Sequence, residues 1–238
     1  PEFFLVSYFI FFFALFGSNS FFSKKFKIFN YKIILIFLMV IYPFILLYFT
    51  PFSIYDGFRH VLWMIPYACV IPALAIYFII ENIKSIYFKI VGATQLMLLV
   101  YFLFNFIMLT PYHYTYLNIL NGKPENFYKK FENDYWGSSI KELINNTKLN
   151  KNSRIVFSSC GIADYGAKYY LKKAGFSNFS FKSFDQAEFI IMTNRTTSIK
   201  ENIYSSNNIT NCFDKFNGKD ISQVKRNGMV LSVIRKIN

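Results

Sequence analysis

The chain has 238 residues, of which 54% are hydrophobic and 21% aromatic, and its formal net charge is +13. This apolar content exceeds what a soluble domain normally carries, so the composition excludes an ordinary soluble protein and indicates a membrane protein. The apolar residues fill positions 1–110, whereas positions 111–238 are polar and rich in Lys and Asn. We therefore predict two domains with these bounds, the first a polytopic α-helical membrane region.

Four apolar segments lie in the first domain, at 2–17, 33–50, 61–80 and 90–109. The last three are each long enough to cross about 30 Å of hydrocarbon as a helix. The first is short, and neither the basic region nor the cleavage site of a signal peptide precedes it. We expect about four spans, the first truncated, in the C-terminal part of a longer protein. The alternative is a complete small protein with a frayed first helix.

The lysines of the short loops predict the orientation, because basic residues are retained on the cytoplasmic side. The loop after the first segment has four lysines and no acidic residue: Lys24, Lys25, Lys27 and Lys32. The next loop, with Arg59 against Asp56, should lie outside, and the domain at 111–238 should then be extracytoplasmic. That domain holds 19 Lys and Arg against 10 Asp and Glu, a net charge of +9. Long domains translocate largely regardless of charge, so the short loops decide.

The stretch "IYDGFRHVLWMIP" places polar residues at the start of the third segment. A helix N-terminus and a neighbouring arginine favour a bound phosphate, such as that of a lipid. We predict that Asp56, Arg59 and His60 form a binding surface for such a phosphate, joined by His113 at the exit of the fourth segment, on the same predicted face. In the alternative interpretation, Asp56 caps the helix and Arg59 reaches toward lipid headgroups.

The second domain has the pattern of a small α/β fold. Ser139 and Glu142 have the spacing of a capping box before a helix. The sequence predicts strands at 154–160, 187–194 and 228–237 and a helix at 163–175. A strand, helix, strand order of this kind predicts a partly parallel sheet.

The sequence gives only weak support for catalysis, metal binding or nucleic-acid binding in the second domain. The segment "SSCGIADYG" after the first strand has no phosphate-loop signature, and no histidine beyond His113 is present to act as a base. The sequence leaves open whether Cys160 and Cys212 pair, while Cys69 lies within a predicted span. No Cys and His spacing fits zinc. The dispersed lysines suit anionic lipid headgroups better than nucleic acid, so membrane lipids are expected partners and nucleic acid is not.

Three motifs together resemble a known family: "IYDGFRHVLWMIPYACVIPALAIYFI", "TPYHYTYLNILNG" and "FENDYWGSSIKELINN". Their order and spacing are similar to the C-terminal half of bacterial GT-C type membrane glycosyltransferases, akin to the dolichyl-phosphate-mannose protein mannosyltransferases. The resemblance covers about residues 40–150. Beyond them the similarity is limited to a small α/β tail.

The resemblance implies transfer of a sugar from a polyprenyl-phosphate donor to an acceptor glycan, lipid or protein outside the bacterial inner membrane. No cofactor is implied, and the role of a metal is left open. The family's catalytic carboxylate lies in a first outer loop that we expect outside this chain, so no catalytic residue is assigned here. Arg59 would contact the donor phosphate, with His60 second; Asp56 would have a structural or substrate-orienting role. Tyr55 and His113 would complete the substrate-binding rim. The aromatic pair Tyr135 and Trp136 would dock the outer domain on the membrane surface or, in the alternative, offer a platform on which a sugar stacks.

A non-catalytic membrane protein, such as an envelope scaffold or a transporter subunit, is the rival interpretation. Transporters place polar or broken helices near the middle of the membrane. Pro66 and Pro72 in the third segment, and Gln95 and Asn105 in the fourth, give that interpretation some support. It predicts that replacing Arg59 leaves function intact.

Overall fold

The computed structural model describes residues 1–17, 19–50, 62–134, 136–162, 164–197 and 210–237. The chain forms two compact units, Pro1–Leu103 and Phe104–Asn238. The first unit is helical, and the second contains the β-sheet.

The first unit is built from apolar helices. In chain order they are α1 (Glu2–Gly17), α2 (Asn19–Lys25), α3 (Phe29–Phe49), α4 (Ile65–Glu81) and α5 (Ile86–Met108), the last of which continues into the second unit. Among the described residues, three helical stretches are long and apolar enough to cross a membrane, judged by length and composition: Phe29–Phe49, Leu62–Glu81 and Ile86–Met108. The first predicted segment forms α1, which is apolar but has 16 residues.

Aromatic side chains fill the core of the helical unit. Phe11, Phe22 and Ile71 are fully buried there, and the rings of Phe22 and Phe29 stack with centroids 5.0 Å apart. Interlocking rings of this kind hold apolar helices together where lipid removes the hydrophobic drive for association.

An ion pair defines one end of the helical unit. Lys25 Nζ lies 3.0 Å from Glu81 Oε2, so the C-terminal ends of α2 and α4 meet there.

The second unit is a small α/β domain, as the strand and helix pattern predicted. Its described strands are β1 (Ile155–Cys160), β2 (Phe179–Phe181), β3 (Phe189–Thr193), β4 (Thr196–Thr197), β5 (Thr210–Asn211), β6 (Lys219–Arg226) and β7 (Met229–Lys236). Its described α-helices are α6 (Ile140–Asn145), α7 (Asp164–Lys173) and α8 (Cys212–Lys215). The five-stranded sheet has the order β2-β1-β3-β7-β6.

The sheet is mixed, which confirms the partly parallel arrangement. Strand β1 runs parallel to β2 and β3, while β7 is antiparallel to β3 and β6. A core of fully buried side chains packs on this sheet, including Phe157, Ile191 and Leu231, with Leu143 and Leu171 from helices α6 and α7. The edge strands β2 and β6 were not predicted.

The predicted capping box at the start of α6 is wrong. Ser139 makes no side-chain capping hydrogen bond; its hydroxyl donates instead to Asp134 Oδ2 and lies 2.6 Å from Ser232 Oγ. Glu142 does not reach back to the helix start, because its carboxylate accepts from Tyr112 and Arg226. Tertiary partners therefore replace the local pair that the spacing predicted.

The pairing of two cysteines, which the sequence left open, is settled by the structure. Cys160 at the end of β1 forms a disulfide with Cys212 at the start of α8, 52 positions away. Both side chains are buried against Ile190 and Met192. Cys69 in α4 is a free thiol. The disulfide holds the last described segment of the chain onto the carboxyl end of the parallel strands.

Candidate functional site

Four of the five predicted substrate-binding residues, Tyr55, Asp56, Arg59 and His60, lie outside the described residues. They fall in positions 51–61. The fifth, His113, lies just beyond α5, in a short 3-10 turn at His113–Thr115. Among the described residues, the candidate site consists of His113 and of side chains of the second unit that follow it in the chain.

His113 is held against the last turns of α5. Its ring stacks on Phe106, with centroids 4.2 Å apart and planes 14° from parallel. One ring nitrogen, Nε2, lies 3.0 Å from Thr110 Oγ1. These two contacts fix the imidazole plane and engage one of its two nitrogens. The side chain is half-buried, so His113 is a positioned polar group at the end of the apolar helix.

Tyr114 and Asp134 join two of the sequence motifs. Tyr114 belongs to "TPYHYTYLN" and donates a hydrogen bond to Asp134 Oδ1 in "DYWGSS". Asp134 is 0% exposed and also accepts from the backbone N–H groups of Ser138 and Ser139, at 2.9 and 3.1 Å. Buried carboxylates are stable only with such partners. Burial, and then the bond to Asp134, raises the pKa of Tyr114.

A second cluster surrounds Glu142. Tyr112 Oη donates to Glu142 Oε2 at 2.9 Å, and Arg226 Nη2 lies 2.6 Å from the same oxygen. Arg226 Nε also donates to the carbonyl of Thr110 at 2.8 Å, and the guanidinium lies over the Tyr112 ring. Burial, and then the bond to Glu142, raises the pKa of Tyr112. The planar fork of arginine suits this set of partners, since it donates in two directions at once.

The two clusters border one pocket of about 520 Å³. Its walls are Pro111, Tyr112, Tyr114, Ser138, Lys141, Glu142, Asn145 and Asn146. Tyrosine, serine and amide side chains hydrogen-bond hydroxyl groups, and the exposed ammonium of Lys141 suits an anionic group. The carboxylates beside the pocket, Asp134 and Glu142, are already engaged by donors. The arrangement therefore suits binding of a polar ligand more than proton transfer.

The loop after β1 is occupied by structural contacts. Cys160 is in the disulfide, and Ser159 Oγ bonds to the carbonyl of Ile162 and to Asp164. Neither side chain is a free nucleophile. Within the described parts of the chain, no group of three or more His, Cys, Asp and Glu side chains could hold a metal ion.

Trp136, predicted to dock on the membrane, is 62% exposed; its neighbour Tyr135 lies outside the described residues. Arg226 was not predicted as a site residue, because its sequence context is typical of a solvated basic face. Its partner Glu142 is 84 positions away, so no local pattern signals the pair.

Comparison of the chain with protein-family models, with curated proteins and with solved structures finds no match.

Proposed function

We propose that this chain is part of an integral-membrane glycosyltransferase of the GT-C type. It would move a sugar from a polyprenyl-phosphate donor to an acceptor on the extracytoplasmic side. The support comes from the three ordered motifs of the sequence, from the helices of spanning length and from the contacts between two of those motifs.

The hydrogen bond between Tyr114 and Asp134 is the single observation that carries the proposal. The resemblance rests on motifs that are loose one by one, so a specific contact between two of them adds support to it. Here the second and third are joined through a fully buried carboxylate. They then form one side of the pocket through Tyr114 and Ser138. A shared buried network argues that the two motifs act as one unit.

Within this proposal, Arg59 contacts the donor phosphate, since a guanidinium forms paired hydrogen bonds with phosphate oxygens. His60 and Tyr55 complete the rim, and Asp56 orients the substrate. His113, fixed by Phe106 and Thr110, contributes from the exit of α5. The general base would come from another part of the full-length protein, and the leaving lipid phosphate would be stabilised by the cations of the rim.

The disulfide supports the proposed location of the α/β domain. Disulfides persist in oxidising compartments such as the bacterial periplasm and are rare in the cytosol. Cys160 and Cys212 are joined and buried in this domain. An extracytoplasmic domain, attached to a helical region in the bacterial inner membrane, accommodates this bond.

A non-catalytic scaffold is the second candidate, and one observation favours it. Glu142 lines the pocket, and Asp134 bonds to two of its wall residues, Tyr114 and Ser138, yet both carboxylates are bound by donors of the same domain. A pocket without an available base binds its ligand and leaves it unchanged. In this function the basic outer domain would recognise a partner and the helices would serve as its anchor.

The test is sugar transfer by the full-length protein with Arg59→Ala, measured with a radiolabelled polyprenyl-phosphate sugar in membrane vesicles. We expect loss of transfer with unchanged membrane insertion. Arg154→Ala is the matched control, because Arg154 is an exposed arginine before β1 and its loss should leave transfer intact. Equal transfer by the Arg59 variant and the control would remove Arg59 from the donor site and favour the scaffold.

A further inference from the structure

Two large aliphatic side chains stand exposed on the second unit at the 3-10 turn Ile119–Asn121. Leu120 is 77% exposed and Ile119 is 59% exposed. Together they form a small exposed apolar patch, and a patch of this kind rimmed by polar residues is a candidate for contact with a membrane.

The turn that carries them is held by its own hydrogen bonds. Asn121 Nδ2 donates to the carbonyl and the side-chain oxygen of Asn118, at 3.2 and 2.8 Å. The backbone N–H of Gly122 donates to the Ile119 carbonyl at 3.1 Å, and Gly122 has a φ of +100°, which favours glycine. Lys130 Nζ donates to the Asn121 carbonyl at 3.2 Å. The two apolar side chains are thus presented by an ordered turn.

A chain of contacts connects this turn to the end of α5. Asn227 Nδ2, in the tight turn between β6 and β7, donates to Asn105 Oδ1 at 2.7 Å. A Cβ atom placed on Gly228, the next residue, would lie 3.8 Å from Pro124 Cβ. Pro124 follows the exposed turn by only a few residues. The turn therefore lies at the end of the α/β domain that receives α5.

The charge around the turn completes the pattern of a lipid contact. Lys123 lies two positions after the turn and is exposed, and Lys130 donates a hydrogen bond to the Asn121 carbonyl of the turn. Lysines flanking an apolar tip can keep their ammonium groups among phosphate headgroups while the tip enters the acyl boundary. Since α5 is long and apolar enough to cross a membrane, its end marks the level of such headgroups.

We propose that the Ile119–Asn121 turn inserts into the surface of an anionic phospholipid bilayer beside the end of α5. This contact gives the α/β domain a second attachment to the membrane. The proposal depends on α5 crossing a bilayer and does not depend on glycosyl transfer.

The experiment places a bimane fluorophore at single positions in vesicles of phosphatidylcholine and phosphatidylglycerol. The background is Cys69→Ser, which removes the free thiol and leaves the disulfide. Labels are attached at Leu120→Cys, at Phe104→Cys in α5 as the lipid reference, and at Tyr165→Cys in α7 as the aqueous reference. Phe104 and Tyr165 are 61% and 80% exposed. The quencher is phosphatidylcholine carrying a doxyl group.

We expect the lipid quencher to reduce the bimane emission at position 120 nearly as much as at position 104. The label at position 165 should keep its emission. If the label at position 120 keeps its emission, as the label at position 165 does, the proposal is overturned. Protection of position 120 from both the lipid quencher and aqueous iodide also overturns it, because a protein then covers the turn.

A matched pair of double variants tests whether the lysines beside the turn are required for the lipid contact. Lys123→Glu with Lys130→Glu should reduce quenching at position 120 in vesicles containing phosphatidylglycerol. Lys148→Glu with Lys182→Glu makes the same charge change at exposed sites elsewhere in the domain and should leave quenching unchanged. Equal quenching in the two double variants would contradict the part assigned to anionic lipid.

Discussion

Tyr114 and Asp134, twenty positions apart, are joined by a hydrogen bond that links the segment after α5 to the loop before α6. Asp134 accepts in addition from Ser138 and Ser139. A carboxylate with this many donors fixes the loop, and through Tyr114 it fixes one wall of the pocket.

Asp134→Ala should destabilise the α/β domain, since the substitution leaves the hydroxyl of Tyr114 and two backbone N–H groups without their acceptor. A loss of about 3 kcal/mol in the free energy of unfolding is expected, as for buried donors left unsatisfied. Asp134→Asn keeps one acceptor oxygen and should lose less. Urea unfolding of the purified protein in detergent measures both.

Asp185→Ala provides the control for this substitution, because Asp185 is exposed, and its replacement should change stability by no more than about 0.5 kcal/mol. If Asp134→Ala and Asp185→Ala had the same stability, the buried network would contribute nothing to the fold of the domain.

Tyr112 and Tyr114 should make the stability of the protein sensitive to alkaline pH. The pKa values of Tyr112 and Tyr114 are raised above the ordinary value of 10.0, chiefly by burial and then by the neighbouring Glu142 and Asp134. Because the pKa of each tyrosine is higher in the folded than in the unfolded protein, its contribution to the free energy of unfolding is complete below about pH 10. This contribution is lost as the pH rises through the folded-state pKa. The protein should therefore lose stability above pH 10 as the unfolded state releases these protons first.

Thermal unfolding between pH 8 and pH 11 checks this, in the natural protein and in the double variant Tyr112→Phe with Tyr114→Phe. The variant starts less stable, because it lacks two hydrogen bonds, but its stability should fall less steeply above pH 10. Parallel curves would assign the alkaline loss to other groups and refute the role given to these tyrosines.

The disulfide predicts both a stability effect and a count of reactive thiols. Replacing Cys160 and Cys212 together by serine should lower the free energy of unfolding by about 2–4 kcal/mol. Of the three cysteines in this sequence, only Cys69 should react with a maleimide polymer when the cells are lysed in denaturing detergent without reductant. All three should react after reduction and unfolding.

Gel shifts count the attached polymers directly, and Cys69→Ser is the control that should remove the single shift. Three shifts without reductant would mean that the disulfide is absent in the cell, which would oppose an oxidising environment for the α/β domain.

The parts of the fold that the sequence predicted are those with strong local patterns. Strands β1, β3 and β7 are runs of apolar and β-branched residues, and β3 is buried along its whole length. Strand β6 was not predicted because "KDISQVKR" is an edge strand with few apolar residues and a single buried side chain. Strand β2 has only three residues. Both depend on pairing with the sheet and not on their own sequence.

The candidate site was less predictable, since its contacts are long-range. The spacing of Ser139 and Glu142 fits a capping box, but Asp134 and Arg226 compete successfully for these side chains. The partner of Cys160 could not be derived from spacing alone. His113 was identified as a polar residue at the exit of a span, yet its stacking on Phe106 is a consequence of how the chain turns after α5.

The most direct test of the proposed function follows the fate of a lipid-linked sugar. Native membranes with and without the full-length protein receive a polyprenyl-phosphate sugar labelled in the sugar, and the label is separated into lipid and acceptor fractions. Glycosyl transfer predicts that label leaves the lipid fraction only when the protein is present. Identical distributions of label in the two membranes would contradict it.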